Sequence, residues 1–225
     1  MASWIIHLRV AQAVFEKYPV LKNREFVVGN IAPDSGVPTP DGKEYIPSGE
    51  LTHFRYVDEN GLKQFDERLY MNVYLTPEKV KSYAMDALSF HIAYAVHLTT
   101  DRMWEEHVQK KAEKRFSTLL NEDREAFRTM IRRDWYDKDF LYLRNHPDFE
   151  AYRIFKDSSG FKNTYVEFYS EDAVESRKEY ILSFYEEGVK NVKDREMYIS
   201  DEELDDFVKM TAEEASRVVV SAFIR

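Results

Sequence analysis

The chain contains no cysteine. That excludes disulfides, thiolate zinc sites and thiol nucleophiles, and leaves imidazole and carboxylate groups as the available metal ligands. Glycine and proline are scarce, 7 of each in 225 residues, and no low-complexity tract or internal repeat is visible. Long apolar runs are missing too: nothing approaches the roughly 18 uncharged residues of a membrane span. The stretch MASWIIHLRVAQAVFEKYP is broken by His7, Arg9, Gln12, Glu16 and Lys17, whereas a signal peptide wants an uninterrupted apolar run and a small-residue cleavage site. The expectation is a soluble, cytoplasmic protein. Positive charge is also short, 32 Lys and Arg against 41 Asp and Glu for a net charge of -9. This argues against a nucleic-acid duplex as partner, because such binding rests on basic side chains neutralising phosphates. A small phosphate ester remains compatible with it.

Apolar residues are plentiful, at 44% with 15% aromatic, enough for one core, so residues 1–225 are expected to form a single domain. Most periodicity is helical and the expected class is all-α. Ser3 should cap a helix over residues 3–18 that Pro19 ends. Arg24 to Ile31 is a short apolar segment, and Gly36 to Gly49 holds Pro38, Pro40, Asp41-Gly42 and Pro47, the densest turn chemistry in the chain. That loop is either a lid or an exposed connection. The alternation Tyr70-Met71-Asn72-Val73-Tyr74 suggests a short strand. Thr76-Pro77 opens a helix that could run to about Phe116, a length at which bending or breaking is expected. Further helices are expected from Asn121-Glu122-Asp123 toward Leu143, from Ser170 through Tyr185, and from a Ser200/Glu203 capping box onward, with Asp157 to Phe168 as a loop.

The stretch His97 to His107 puts two histidines and an aspartate among Ile92, Ala93, Val96, Leu98 and Trp104. At about 100° per residue, His97 and Asp101 share a helix face, while His107 lies about 80° round from His97. One metal cannot comfortably take all three, but two adjacent ions could, with Asp101 bridging. The plainer reading is that these groups satisfy one another or face solvent. Further potential ligands are His7, Asp34 and His53. His91 is expected to be a buried histidine bonded to a backbone oxygen, or else a support for the ligands.

Taken in order, Trp4-x-x-His7, Gly29-Asn30-Ile31-Ala32-Pro33-Asp34, Thr52-His53-Phe54, His97-x-x-x-Asp101 and His107 resemble the bacterial zinc-dependent phospholipase C family, whose all-helical fold is shared with fungal single-strand nucleases. The resemblance covers roughly residues 3 to 107. It implies a zinc-dependent phosphodiesterase with up to three ions, in which Asp34, His53, His97 and Asp101 hold one ion and Asp101 also reaches a neighbour beside His7. His107 would belong to a further ion, and Asp34, or a water it orients, would act as general base. Iron, manganese and nickel also suit such ligands.

Two departures from the family pattern stand out. Secreted members begin at a tryptophan whose amine and carbonyl ligate zinc, whereas Trp4 follows three residues here. The family's later His-x-x-x-Glu pair is missing, and His146 with Glu150 is the nearest substitute. His146 precedes a proline, which disfavours helical geometry there, so it is expected to cap the helix containing Glu150. Asp134 and Asp137, three apart on one helix face, are either a substitute carboxylate source or a solvated surface. The leading expectation is a polynuclear hydrolase of a small phosphoester, a phospholipid among the options. The alternatives are a metallophosphohydrolase acting on nucleotides, against which the absence of a His-Asp dipeptide counts, and a non-catalytic helical binding protein.

Overall fold

The computed structural model describes every residue except Gly42, Asn60, Leu62, Phe65 and Arg225, and the side chain of Lys63. It is all-α, about 70% helical with 3% strand. In chain order the helices are α1 (Trp4–Lys17), α2 (Asn23–Ile31), α3 (Gly49–Thr52), α4 (Glu67–Tyr74), α5 (Pro77–Ser82), α6 (Met85–Trp104), α7 (Lys110–Arg115), α8 (Ser117–Glu122), α9 (Arg124–Asn145), α10 (Glu150–Asp157), α11 (Ala173–Asn191) and α12 (Asp201–Ile224). Two small antiparallel ladders fall between α2 and α4: β1 (Val37–Pro38) with β2 (Tyr45–Ile46), and β3 (Tyr56–Val57) with β4 (Lys63–Gln64).

Side-chain caps explain where several helices begin. Ser3 accepts from the Ile6 amide, Thr76 from Lys79 and Asp123 from Ala126, each satisfying an amide that the first turn leaves unpaired. Ser200 and Glu203 close a reciprocal capping box, with the Ser200 amide donating to Glu203 Oε2 at 2.9 Å and the Glu203 amide to Ser200 Oγ at 3.1 Å.

Helix α6 is the axis of the fold. Every residue from Leu88 to Asp101 is buried, as expected of a helix apolar on all sides and enclosed by others. Its neighbours are α1, α2, α4 and α12. Thr99 and Thr100 hide their hydroxyls by donating to the carbonyls of Ala95 and Val96, one turn back. The closest partner is α2, and Gly29 is the reason: a Cβ there would stand 2.5 Å from the Phe90 carbonyl oxygen and 2.9 Å from its Cα. Two backbones meet at that point without a side chain between them, which sets Asn30 directly over the α6 surface carrying His97. Gly29→Ala is therefore expected to force the helices apart and cost roughly 1–3 kcal/mol in urea unfolding; an unchanged midpoint would show that the contact yields freely.

The long helix expected from Thr76 to about Phe116 is interrupted twice. It breaks at Tyr83 and Ala84, whose extended backbone separates α5 from α6. A π-helical stretch, Glu105–Gln109, then inserts between α6 and α7. The short strand suggested over Tyr70 to Tyr74 is instead part of α4, capped by Asp66 and burying Tyr70, Met71 and Tyr74. The Gly36 to Gly49 loop carries the β1–β2 ladder, with Gly42 outside the described residues. No described helix is long and apolar enough to cross a membrane.

Candidate metal centre

Five of the sequence-derived ligands converge. Among the described residues, two groups could hold a metal ion: His7 with His97 and Asp101, and Asp34 with His53 and His97. They come from α1, the turn after α2, the end of α3 and the middle of α6. His53 Nε2 lies 3.2 Å from Asp34 Oδ1, 3.3 Å from His97 Nε2 and 3.6 Å from Asp101 Oδ2, and His97 Nε2 lies 3.7 Å from that same Asp101 oxygen. Ligands at zinc–nitrogen and zinc–oxygen distances of about 2.1 Å sit roughly 3.4 Å apart in a tetrahedron. The spacings around His53 Nε2 and His97 Nε2 are of that size, and the metal-capable groups each bring three donors together.

His7 lies on the other side of Asp101. Its ring stacks on His97, centroids 3.8 Å apart and nearly parallel, and its Nε2 is 3.4 Å from Asp101 Oδ1. Asp101 Oδ1 accepts from the Ala2 amide nitrogen at 2.8 Å. Both His7 nitrogens and Asp101 Oδ2 are buried without a hydrogen-bond partner. Orphaned polar atoms of this kind are costly in a protein interior. Their convergence, with His7, His97 and Asp101 all at 0% exposure, is what a site fitted to a cation would show.

The supporting bonds aim the ligands. His97 Nδ1 is 2.7 Å from the Asn30 carbonyl oxygen; a carbonyl only accepts, so Nδ1 carries the hydrogen and the Nε2 lone pair of the neutral ring faces the centre. Asn30 is itself tied to α6 through Nδ2 donating to the Ala93 carbonyl. His53 Nδ1 pairs with Thr52 Oγ1 at 2.9 Å, and Tyr94 Oη donates to the Thr52 carbonyl. Phe54, next in the chain, holds a left-handed φ of 50°, a backbone strain of the kind that persists where surroundings over-determine it. Trp4 Nε1 donates to Asp34 Oδ2 at 2.8 Å, leaving Asp34 Oδ1 for the cluster.

The electrostatics favour a neutral His97 ring and charged Asp34 and Asp101 carboxylates. Burial first, then the neighbouring His7, pulls His97 down to about 3 against the opposing pull of Asp101 and Asp34. Burial alone would raise Asp101, but the positive amino terminus, the His7 contact and the imidazoles hold it well below its ordinary value. Asp34 is likewise held low despite burial, by the His53 hydrogen bond and its electrostatic contacts with the neighbouring imidazoles. Unprotonated imidazole and ionised carboxylate are the forms a metal requires.

The other three sequence-derived candidates lie elsewhere. His107 falls on the π-helical stretch, half exposed, with Glu106 3.9 Å from its Nε2; it lines a separate groove of about 420 Å³ with Val108, Arg115, Tyr198 and Phe207. Among the described residues His107 belongs to neither metal-capable group, and it sits on a π-helical stretch that interrupts the regular helical phase. His146 is exposed, stacks on Tyr142 at 4.1 Å and places Nδ1 2.9 Å from the Tyr142 carbonyl. It ends α9 rather than starting the next helix, and Glu150 is an exposed residue opening α10. Neither belongs to the metal-capable groups. Asp134 and Asp137 share Arg195, at 2.6 and 2.7 Å, a structural clasp rather than a carboxylate source. His91 is buried and bonded to Tyr70 Oη at 2.7 Å, so its partner is a phenol rather than a backbone oxygen.

Solvent reaches the cluster on the Asp34 side, where the side chain is 12% exposed against 0 to 3% for its partners. Around that opening, beside the Trp4 of the Trp4-x-x-His7 motif, stand residues that sequence reasoning did not single out. Trp4 is packed edge-on by Tyr180, Phe184 and Tyr185. Arg177 lies over the Trp4 and Tyr180 rings. Tyr169 donates to the Pro33 carbonyl. Tyr136 is pushed up to about 12, by burial and then by Asp139 and Asp34, so it stays a neutral O–H donor. No local motif marks these groups, because they reach the site from α9, α11 and the segment between α10 and α11.

The fold and site together define an all-α protein with a buried His/Asp constellation able to hold a metal ion. Comparison with protein-family models, with curated proteins and with solved structures finds no match.

Proposed function

We propose that this chain is a metal-dependent phosphoester hydrolase, with zinc the metal its donors suit best. The observation that carries the reading is the set of four donors, Asp34 Oδ1, His53 Nε2, His97 Nε2 and Asp101 Oδ2, spaced 3.2 to 3.7 Å along the contacts they share and open to solvent only past Asp34. His7 on the far oxygen of Asp101 offers the start of a second position. When bound, the metal would supply Lewis-acid polarisation of a phosphoryl oxygen.

The chain's own residues supply position and polarity. Asn30 and Thr52 fix the ring orientations of His97 and His53. Trp4 holds Asp34 as an acceptor at the mouth, where it orients a water for attack; a carboxylate held so far below its ordinary range is better suited to orienting that water than to storing its proton. Sealing of the inner donors keeps the electrostatic contacts in a low-dielectric setting.

The test is elemental analysis of the purified protein followed by hydrolysis of bis(p-nitrophenyl) phosphate and p-nitrophenyl phosphate, with and without chelator. Zinc at one or more equivalents and chelator-sensitive turnover are expected. A protein that holds zinc but turns over neither ester would support a non-catalytic binding role instead, and one that binds no metal after zinc addition would end the hydrolase reading.

A further inference from the structure

The chain carries more acid than base, and its buried or half-buried arginines are mostly spoken for. Arg195 is held by Asp134 and Asp137, Arg102 by Glu67, Glu106 and Glu214, and Arg9 by Asp205. Arg177, on α11, is different: among the described residues it has no ion-pair partner, and its Nε is buried without a hydrogen-bond acceptor. Its guanidinium is held by rings instead, 4.6 Å from the Tyr180 centroid, 5.0 Å from Trp4 and 5.9 Å from Tyr45.

Ring contacts occupy the faces of a guanidinium and leave its N–H edge for an acceptor. A buried donor with no acceptor is a cost that a ligand would relieve. The position is specific, because Trp4, over which Arg177 lies, is the residue bonded to Asp34 at the opening of the metal-capable cluster. Both Arg177 and Asp34 also act electrostatically on Tyr169, whose phenol is anchored on Pro33 next to Asp34. An anionic group entering past Asp34 would meet this cation.

We infer that Arg177 is the anion clamp of the site, its guanidinium edge taking the non-bridging oxygens of a substrate phosphate while Trp4, Tyr45 and Tyr180 hold the guanidinium in place. This deepens the hydrolase reading and rests on it for the word substrate, but anion binding can be tested apart from turnover. An arginine edge matches two phosphate oxygens at once, a geometry that a lysine ammonium cannot reproduce.

The experiment is calorimetric titration of the full chain with phenylphosphonate, a non-hydrolysable phosphate-ester probe, for wild type, Arg177→Gln and Arg177→Lys, zinc-loaded and after chelation, with zinc content and circular dichroism recorded for each. The expected result is binding weakened at least tenfold in Arg177→Gln and to an intermediate degree in Arg177→Lys, with zinc content and helicity unchanged. If the protein hydrolyses phosphoesters, KM should rise more than kcat falls. Wild type that does not bind the probe in either state, or an Arg177→Gln protein that binds within twofold of wild type, would overturn the clamp. Arg177-dependent binding in a protein that holds no zinc would support the clamp while ending the hydrolase reading, and zinc-dependent turnover indifferent to Arg177 would do the reverse.

Discussion

Asp101→Ala will strip the centre of metal, whereas His107→Ala, His146→Ala and Glu150→Ala will leave its metal content at the wild-type level. Asp101 touches the Ala2 amide and three imidazoles and splits its two oxygens between His7 and the His53–His97 pair. Its removal takes away a carboxylate that stands 3.4 to 3.7 Å from all three imidazoles. Loss of a supporting partner alone typically weakens a metal site about 10- to 100-fold, so loss of this ligand is expected to exceed a hundredfold. Elemental analysis after dialysis against zinc-buffered solution reads the difference. Full retention of metal by Asp101→Ala, or a loss in His107→Ala as large as in Asp101→Ala, would move the centre away from where the donors converge.

Asp139→Asn should change how stability responds to pH. Burial pushes the Asp139 carboxyl up to about 7, with its Ser3 and Tyr185 hydrogen bonds and the Arg9 charge opposing the rise only in part. Unfolded, the same carboxyl titrates near 3.8. Between those values the folded protein holds a proton that the unfolded chain has released. The contribution is therefore fully present below about pH 4, declines as pH rises, and is lost above about pH 7. Asparagine has nothing to titrate and can still bond to Ser3 and Tyr185, whose hydroxyls turn to donate or accept. The variant should gain on wild type between pH 4 and pH 8 by up to roughly 4 kcal/mol, measured by urea unfolding at each pH. Parallel curves for the two proteins would mean that Asp139 stays ionised in the folded state.

Much of the fold could be read from capping chemistry. Ser3, Thr76 with Pro77, Asp123, and Ser200 with Glu203 all act as helix starts for the reason their side chains suggest, an oxygen three residues ahead of an unpaired amide. The short strand suggested at Tyr70 to Tyr74 went the other way because Tyr70 and Tyr74 fit both periods: two and four residues apart is alternation, and four apart is also one helical turn. Tertiary burial of Met71 beside them decided for helix.

The centre was legible where ligands lie within one element or one short motif, and less so beyond. His97 and Asp101 share a face by spacing alone, while bringing His7, Asp34 and His53 to them depends on helix docking that no single-sequence period encodes. His107 could not be placed by phase, since one π-helical turn resets the angular count. Arg177 gave no signal at all, being an arginine in an ordinary amphipathic helix that acquires meaning only through the rings around it.

The one-sided burial of the cluster has a kinetic consequence. With His7, His97 and Asp101 sealed and Asp34 the most exposed member among the described residues, an ion held there would exchange with solvent past Asp34 and the Trp4 bonded to it. How long such an ion would stay, and how tightly, would then be governed by different residues: residence time by the Trp4–Asp34 latch, affinity by the imidazoles behind it. Chelators that wait for the ion to emerge and chelators that compete for it at equilibrium should accordingly rank the same set of variants in different orders.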